Sequence, residues 1–253
     1  MLHGVLRCGA DFFPLLPYLD EALDVTFLDQ RGHGSSERAD SYRVADYLAD
    51  AVDVVGALGA EDLIVFGHSL GGMVAAGVAE TVSVAGVILE DPPFETMGSR
   101  IAGSVWHQVF MGFRDAVGAG CDAEGLFERL RGIPIVGADG TVSALWQLRD
   151  EASLRWSAKC LFHLDPKVLD PLLDGEWLNG FPWQGIFTRS RCPVLLLQGD
   201  VRFGGALTGA DADAAGAGCG RVSRVFFEGN GHQLHASAPE RIAHLVNRFV
   251  ACV

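Results

Sequence analysis

Three stretches of the chain, residues 63–66, 82–89 and 192–197, are apolar almost without interruption, and each runs on into glycine or acidic residues. Short runs of this kind predict strands buried on both faces, because a half-buried strand would alternate apolar and polar positions. Residues 23–28 and 221–227 predict two more strands. The first delivers Asp29 to a glycine-punctuated turn, and the second leads into Gly229-Asn230-Gly231-His232. Between the strands the period changes. Apolar residues at 45, 48, 52, 55 and 58 share one face of a helix over 42–58, and small residues predict a helix over 73–80. Pro239 opens a final helix whose apolar face carries Ile242, Leu245, Val246, Phe249 and Val250. Residues 12–19 predict one further helix, and the Ala- and Gly-rich residues 208–218 a weak one. Strands alternating with helices predict an α/β class, a mostly parallel sheet with helices on both faces.

That alternation stops at Glu90-Asp91-Pro92-Pro93, where the prolines end a strand. From 94 to 188 the sequence is helical and rich in aromatic residues, which predicts a helical lid inserted into a core made of residues 1–93 and 189–253. All five tryptophans, at 106, 146, 156, 177 and 183, fall in the insertion. They serve either to pack the lid onto the core or to line an apolar acyl or ring pocket, and the two uses are compatible.

Composition narrows the function classes. With 253 residues, 49% of them hydrophobic, the chain can bury one large core and needs no second full domain. Lys and Arg total 19 against 32 Asp and Glu, a formal charge of −13 that repels phosphate backbones and argues against a nucleic-acid partner. The six cysteines are scattered, with no CxxC pair or metal-ligand spacing, and Met1 is followed by neither a basic segment nor an apolar signal. No apolar run approaches the roughly 20 residues that span a bilayer. A cytoplasmic setting without a membrane span is the expectation.

Candidate chemistry concentrates at Gly67-His68-Ser69-Leu70-Gly71, between the apolar run at 63–66 and the small-residue helix. Glycines two residues either side of a serine allow a turn too tight for side chains at those positions, and the serine hydroxyl is then exposed at the sheet edge. Ser69 is the candidate nucleophile. A serine hydroxyl needs a base within hydrogen-bond reach, and the base needs a third group to hold its tautomer and balance its charge.

Together with this pentapeptide, Leu2-His3-Gly4, the segment from Asp29 to Ser36 and Gly229-Asn230-Gly231-His232 make the sequence resemble an α/β-hydrolase over nearly its whole length. The resemblance implies a hydrolytic serine, an acid and a histidine in that chain order. It places the base at His232. It offers Asp200 as first choice for the acid, although the usual acid stands deeper in that loop, where Arg202 is found; Asp91 and its neighbour Glu90 are the alternatives. The oxyanion hole falls to the backbone N–H groups of Val5 and Leu70. His235 is expected at the rim or behind His232, His33 and His68 in structural roles along the entrance, and His3 as a brace for the oxyanion loop. Since Leu2-His3-Gly4 normally ends a core strand, a shortened N-terminal edge is expected.

No dinucleotide fingerprint, Walker motif or HExxH pair occurs, and Glu90 and Asp91 are adjacent and diverge on a strand, so neither a cofactor nor a metal is expected. The activity implied is a carboxylesterase acting on a small, apolar, uncharged ester through an acyl-enzyme. A lactonase, a carbon–carbon bond hydrolase, a cofactor-free haloperoxidase and a non-catalytic small-molecule receptor are the other readings. The oligomeric state is left open.

Overall fold

The computed structural model describes residues 1–60, 62–137 and 139–253. In chain order the elements are α1 (Val44–Leu58), β1 (Ile64–His68), α2 (Leu70–Thr81), β2 (Gly86–Glu90), α3 (Val105–Gly118), α4 (Ala123–Arg131), β3 (Pro134–Val136), β4 (Val142–Ala144), α5 (Glu151–Phe162), α6 (Asp170–Leu173), β5 (Val194–Gly199), α7 (Gly209–Gly216), β6 (Val222–Phe227), α8 (Leu234–Ser237) and α9 (Pro239–Val250). The central sheet runs β1-β2-β5-β6 with every pair parallel. Leu2 adds parallel bridges to Gly67 and to Leu28 on the free side of β1. This is the mostly parallel α/β arrangement that the strand and helix periods predict.

Alternate residues of the strands feed two layers of core, as the two-residue period of a strand requires. Phe66, Ile88, Leu195, Leu197 and Phe227 pack with Ile242, Ala243 and Val246 of α9 and with Phe12 and Leu15. Val65, Val87, Leu89, Val194 and Leu196 face the other way, onto α1 and α2. The strands β2 and β5 are buried at every position, whereas β6 at the edge is exposed at alternate residues.

Three local expectations change. Residues Gly9–Tyr18 form a 3-10 helix, not an α-helix, because Pro14 and Pro17 lack the N–H that an α-helical turn needs. Residues 23–28 pair only at Leu28, whose N–H donates to Met1 O at 3.1 Å. The insertion between β2 and β5 has the predicted helices but also an antiparallel ribbon, β3 with β4. Its strands carry β-branched residues, and Gly140, at φ 81°, turns the chain between them. Among the described residues no helix is long and apolar enough to cross a membrane.

Candidate active site

Ser69, Asp91 and Asp200 stand one residue beyond the C-terminal ends of β1, β2 and β5, and His232 lies in the loop after β6. Parallel strands therefore bring four distant segments to one edge of the sheet, where ligands of open α/β sheets bind.

The turn at Ser69 is tight for an identifiable reason. Its backbone has φ 54° and ψ −116°, a conformation costing on the order of 1–3 kcal/mol in a residue with a side chain. A Cβ at Gly67 would collide with the carbonyl of Gly71, and one at Gly71 with the carbonyl of Leu2. The strain is held by Ser69 N donating to Glu90 O at 2.9 Å and Gly71 N donating to His3 O at 3.2 Å. Neither Leu70 N, at the start of α2, nor Val5 N donates to another described group.

His232 is oriented from both sides. Its Nδ1–H donates to Asp91 Oδ2 at 2.6 Å, which leaves Nε2 unprotonated and available as a base. Its carbonyl accepts from Nε2–H of His68 at 3.0 Å, and the edge of Trp106 packs against its ring with centroids 5.4 Å apart. Asp91 is wholly buried and, at φ 45°, left-handed. Besides His232 its carboxylate accepts from the backbone N–H groups of Gly199 (3.0 Å), Ala206 (2.7 Å) and Leu207 (3.2 Å), so the loop after β5 locks the carboxylate in place.

Asp200, the first choice from sequence, is turned elsewhere. Its carboxylate accepts from Nε and Nη2 of Arg202 at 3.0 and 2.7 Å, from Arg202 N, and from Gly229 N at 3.1 Å. The hydrogen bonds from Arg202, against a smaller opposing effect of desolvation, hold its carboxyl below the ordinary aspartate range. The group that displaces it from His232 is the arginine found where the resemblance put the usual acid.

Glu90 is also occupied. Its Oε1 accepts from the N–H and from Nδ1 of His235 at 3.0 and 2.8 Å, while Oε2 has no partner. Nε2 of His235 reaches Asp11 Oδ2 at 3.2 Å, and Asp11 in turn is gripped by Arg7. His235 is thus no rim residue: it is fully buried beneath the site in a chain of alternating charges. Burial alone would lower its pKa, but Glu90 and Asp11 raise it to about 9. Asp11, His68 and His235 could bring three donor atoms within 4.8 Å of one another, as a metal would need. A protonated His235 already spends both ring N–H groups on Glu90 and Asp11, so the residues fit an ion-pair chain better than a metal cage.

His3, His33 and His68 are buried and hydrogen-bonded to the backbone, although Nδ1 of His68 has no partner. Burial, opposed by hydrogen bonding to Gly4 O, lowers the pKa of His3, whose Nε2 accepts from Gln30 N. His33 accepts from Leu6 N at 3.1 Å through Nε2 and donates from Nδ1 to Arg31 O; burial ahead of the nearby His3 takes it to about 3. Burial likewise takes His68 to about 3.

Ser69, His68 and His232 line one cavity of about 50 Å³ with Val5, Trp106 and Phe110. Ser69 and His232 share it without a hydrogen bond between them, a bond that commonly tightens only when substrate is present. Residues from α3 and α5 close it from above. The sequence did not single out His68 as a brace for His232, nor the pairing of His235 with Glu90 and Asp11, nor the two arginines, Arg7 and Arg149, that border the cavity.

Comparison with known proteins agrees with the fold. Residues 1–245 match the alpha/beta hydrolase family. A 70-residue stretch is 36% identical to 2-(acetamidomethylene)succinate hydrolase of Mesorhizobium japonicum, covering 27% of this chain and 25% of that protein. An 80-residue stretch is 35% identical to 3-hydroxybutyrate-oligomer hydrolase of Cupriavidus necator, covering 30% and 27%. The matched stretches thus span about a quarter of each curated relative. Over 99% of this chain and 90% of the other, the fold superposes on the esterase EaEST from Exiguobacterium antarcticum with a TM-score of 0.71 at 16% identity. With the family match running from the first residue into α9, and with the strained serine turn inside it, the chain belongs to the alpha/beta hydrolase family.

Proposed function

We propose that the protein is a serine hydrolase that cleaves a small carboxylic ester through an acyl-enzyme on Ser69. The observation that carries this reading is the 2.6 Å hydrogen bond from Nδ1 of His232 to the buried carboxylate of Asp91, at the same sheet edge as a serine on a strained turn. Family membership and the hydrolase and esterase names of its relatives support it.

In this reading Ser69 Oγ attacks the ester carbonyl carbon and its proton passes to Nε2 of His232. Asp91 balances the imidazolium charge through Nδ1–H, which is why a carboxylate and not an amide is needed there. The negative charge on the former carbonyl oxygen is met by the N–H groups of Val5 and Leu70, two donors with no other described partner. His232 then returns its proton to the leaving alcohol. Water, activated by the same nitrogen, cleaves the acyl-enzyme and restores Ser69. A lactone is an internal ester and follows the same steps. A cavity of about 50 Å³ is smaller than such a substrate, so binding displaces side chains of the inserted helices that close it.

The test is rapid-mixing kinetics with 4-nitrophenyl esters, with intact-protein mass spectrometry of quenched samples. The expected result is a burst of nitrophenol stoichiometric with enzyme and an acyl mass addition mapping to the Ser69 peptide. Turnover that persists in Ser69→Ala without an acyl adduct would overturn the mechanism. Folded protein inert towards ester and lactone panels alike would overturn the activity and leave the receptor reading.

A further inference from the structure

The expectation of an apolar, uncharged substrate goes with the aromatic residues of the insertion. The cavity over Ser69 has a different local field. Two arginines border it, Arg7 and Arg149, and among the described residues no Asp or Glu side chain does.

Arg7 is already neutralised. Its Nε and Nη2 contact Asp11, at 2.5 Å for the closest pair, and Nη1 donates to Ser157 Oγ at 3.1 Å. Arg149 is not. Among the described residues its guanidinium makes no hydrogen bond and no ion pair; it stands over the ring of Phe113, 6.0 Å from the guanidinium carbon to the centroid. Its sequence neighbour Asp150 is spent as the N-cap of α5, accepting from Ser153 N at 2.9 Å. The Arg149 backbone, by contrast, is fixed, its N–H donating to Leu145 O at 3.1 Å. Burial, reinforced by the charge of Arg7, lowers its pKa to about 10, so it remains cationic at neutral pH. Arg149 is half-buried and solvent reaches its guanidinium, so its charge is free to meet an anion that enters the cavity. A planar guanidinium is shaped for the two oxygens of a carboxylate.

We infer that Arg149 is a specificity residue that seats a free carboxylate of the substrate, so that the preferred ester is a half-ester or another carboxylate-bearing ester. This rests on the esterase reading and adds the substrate's charge to it. The reaction itself is unchanged: the ester carbon is attacked, and the second carboxylate stays intact.

The test compares kcat/KM for paired substrates of matched length, mono-4-nitrophenyl glutarate against 4-nitrophenyl valerate, and 4-carboxyphenyl butyrate against phenyl butyrate. A charge-assisted hydrogen bond of the usual strength favours the anionic member of one pair by about ten- to a hundredfold in the wild type. In Arg149→Met that ratio falls to about one, and in Arg149→Lys, which keeps the charge but loses the fork, it falls part way. Binding of glutarate to wild type and Arg149→Met, measured by calorimetry, separates the two readings. Arg149-dependent binding without hydrolysis of any ester would support the carboxylate seat while removing the esterase activity. Ser69-dependent hydrolysis with no anionic preference in either pair, or a preference unchanged in Arg149→Met, would overturn the carboxylate seat alone.

Discussion

The loops after β2 and β5 each begin with a buried aspartate, yet the two are wired for different work. Asp91 is tied by three backbone amides, and its Oδ2 accepts from both Ala206 N and His232. Asp200 is tied by Arg202 and by Gly229 N, and so holds the glycine-rich loop on which His232 rides. Amide donors are neutral, so the charge of Asp91 stays available to oppose a developing imidazolium. An arginine is a full counter-charge, and Asp200 has none to spare. In the proposed mechanism the difference between a triad acid and a loop brace therefore lies in what the carboxylate's other partners are, not in burial or place along the strand.

The largest expected effect sets the floor for this comparison. Ser69→Ala and His232→Ala should each lower kcat by about 10⁶-fold, the scale on which members of one catalytic unit fail in a serine protease, and the double variant should be little worse. Steady-state rates on 4-nitrophenyl esters check this; additive losses would mean that the two residues do not act as a unit.

The second effect concerns Glu90, beside Asp91 in sequence but committed to His235. With its pKa raised from 6.5 to about 9, His235 contributes stability that is complete below pH 6.5 and lost as the pH rises through about 9, on the order of 3 kcal/mol. His33 and His68, lowered to about 3, act in the opposite sense: their contribution is complete above pH 6.5 and is lost as the pH falls towards 3. Urea unfolding midpoints should accordingly peak near neutral pH. A midpoint flat between pH 6.5 and 9 would remove His235 from the buried charge chain.

The smallest effect sharpens the role of Asp200. Arg202 is largely exposed, so Arg202→Gln should lower Tm only modestly and leave kcat within about threefold of wild type. A large fall in kcat at unchanged Tm would show that the Asp200 loop does more than brace.

The sequence made the serine turn legible because backbone contact excludes side chains at Gly67 and Gly71, and that constraint is written locally. The parallel sheet was equally readable from unbroken apolar runs. The proposed acid was not, since Asp91 and Asp200 both close buried strands. The choice depends on the left-handed backbone at Asp91 and on which loop amides reach it, contacts made across 108 to 116 positions of chain. A local signal did exist in Arg202, two residues after Asp200 and able to fold back on it. The charge chain Arg7–Asp11–His235–Glu90 joins three separate segments, and no spacing in the sequence announces it.

The most direct measurement of the central claim is kcat for Asp91→Asn and Asp200→Asn, side by side, on one fast ester, with circular dichroism to show that both are folded. Removing the carboxylate that holds a catalytic histidine's tautomer lowered turnover by about 10⁴ in a serine protease, and Asp91→Asn should fall on that scale. Asp200→Asn should stay within about tenfold of wild type. Near-normal turnover in folded Asp91→Asn, with collapse of Asp200→Asn, would contradict the account and return the acid to the loop after β5.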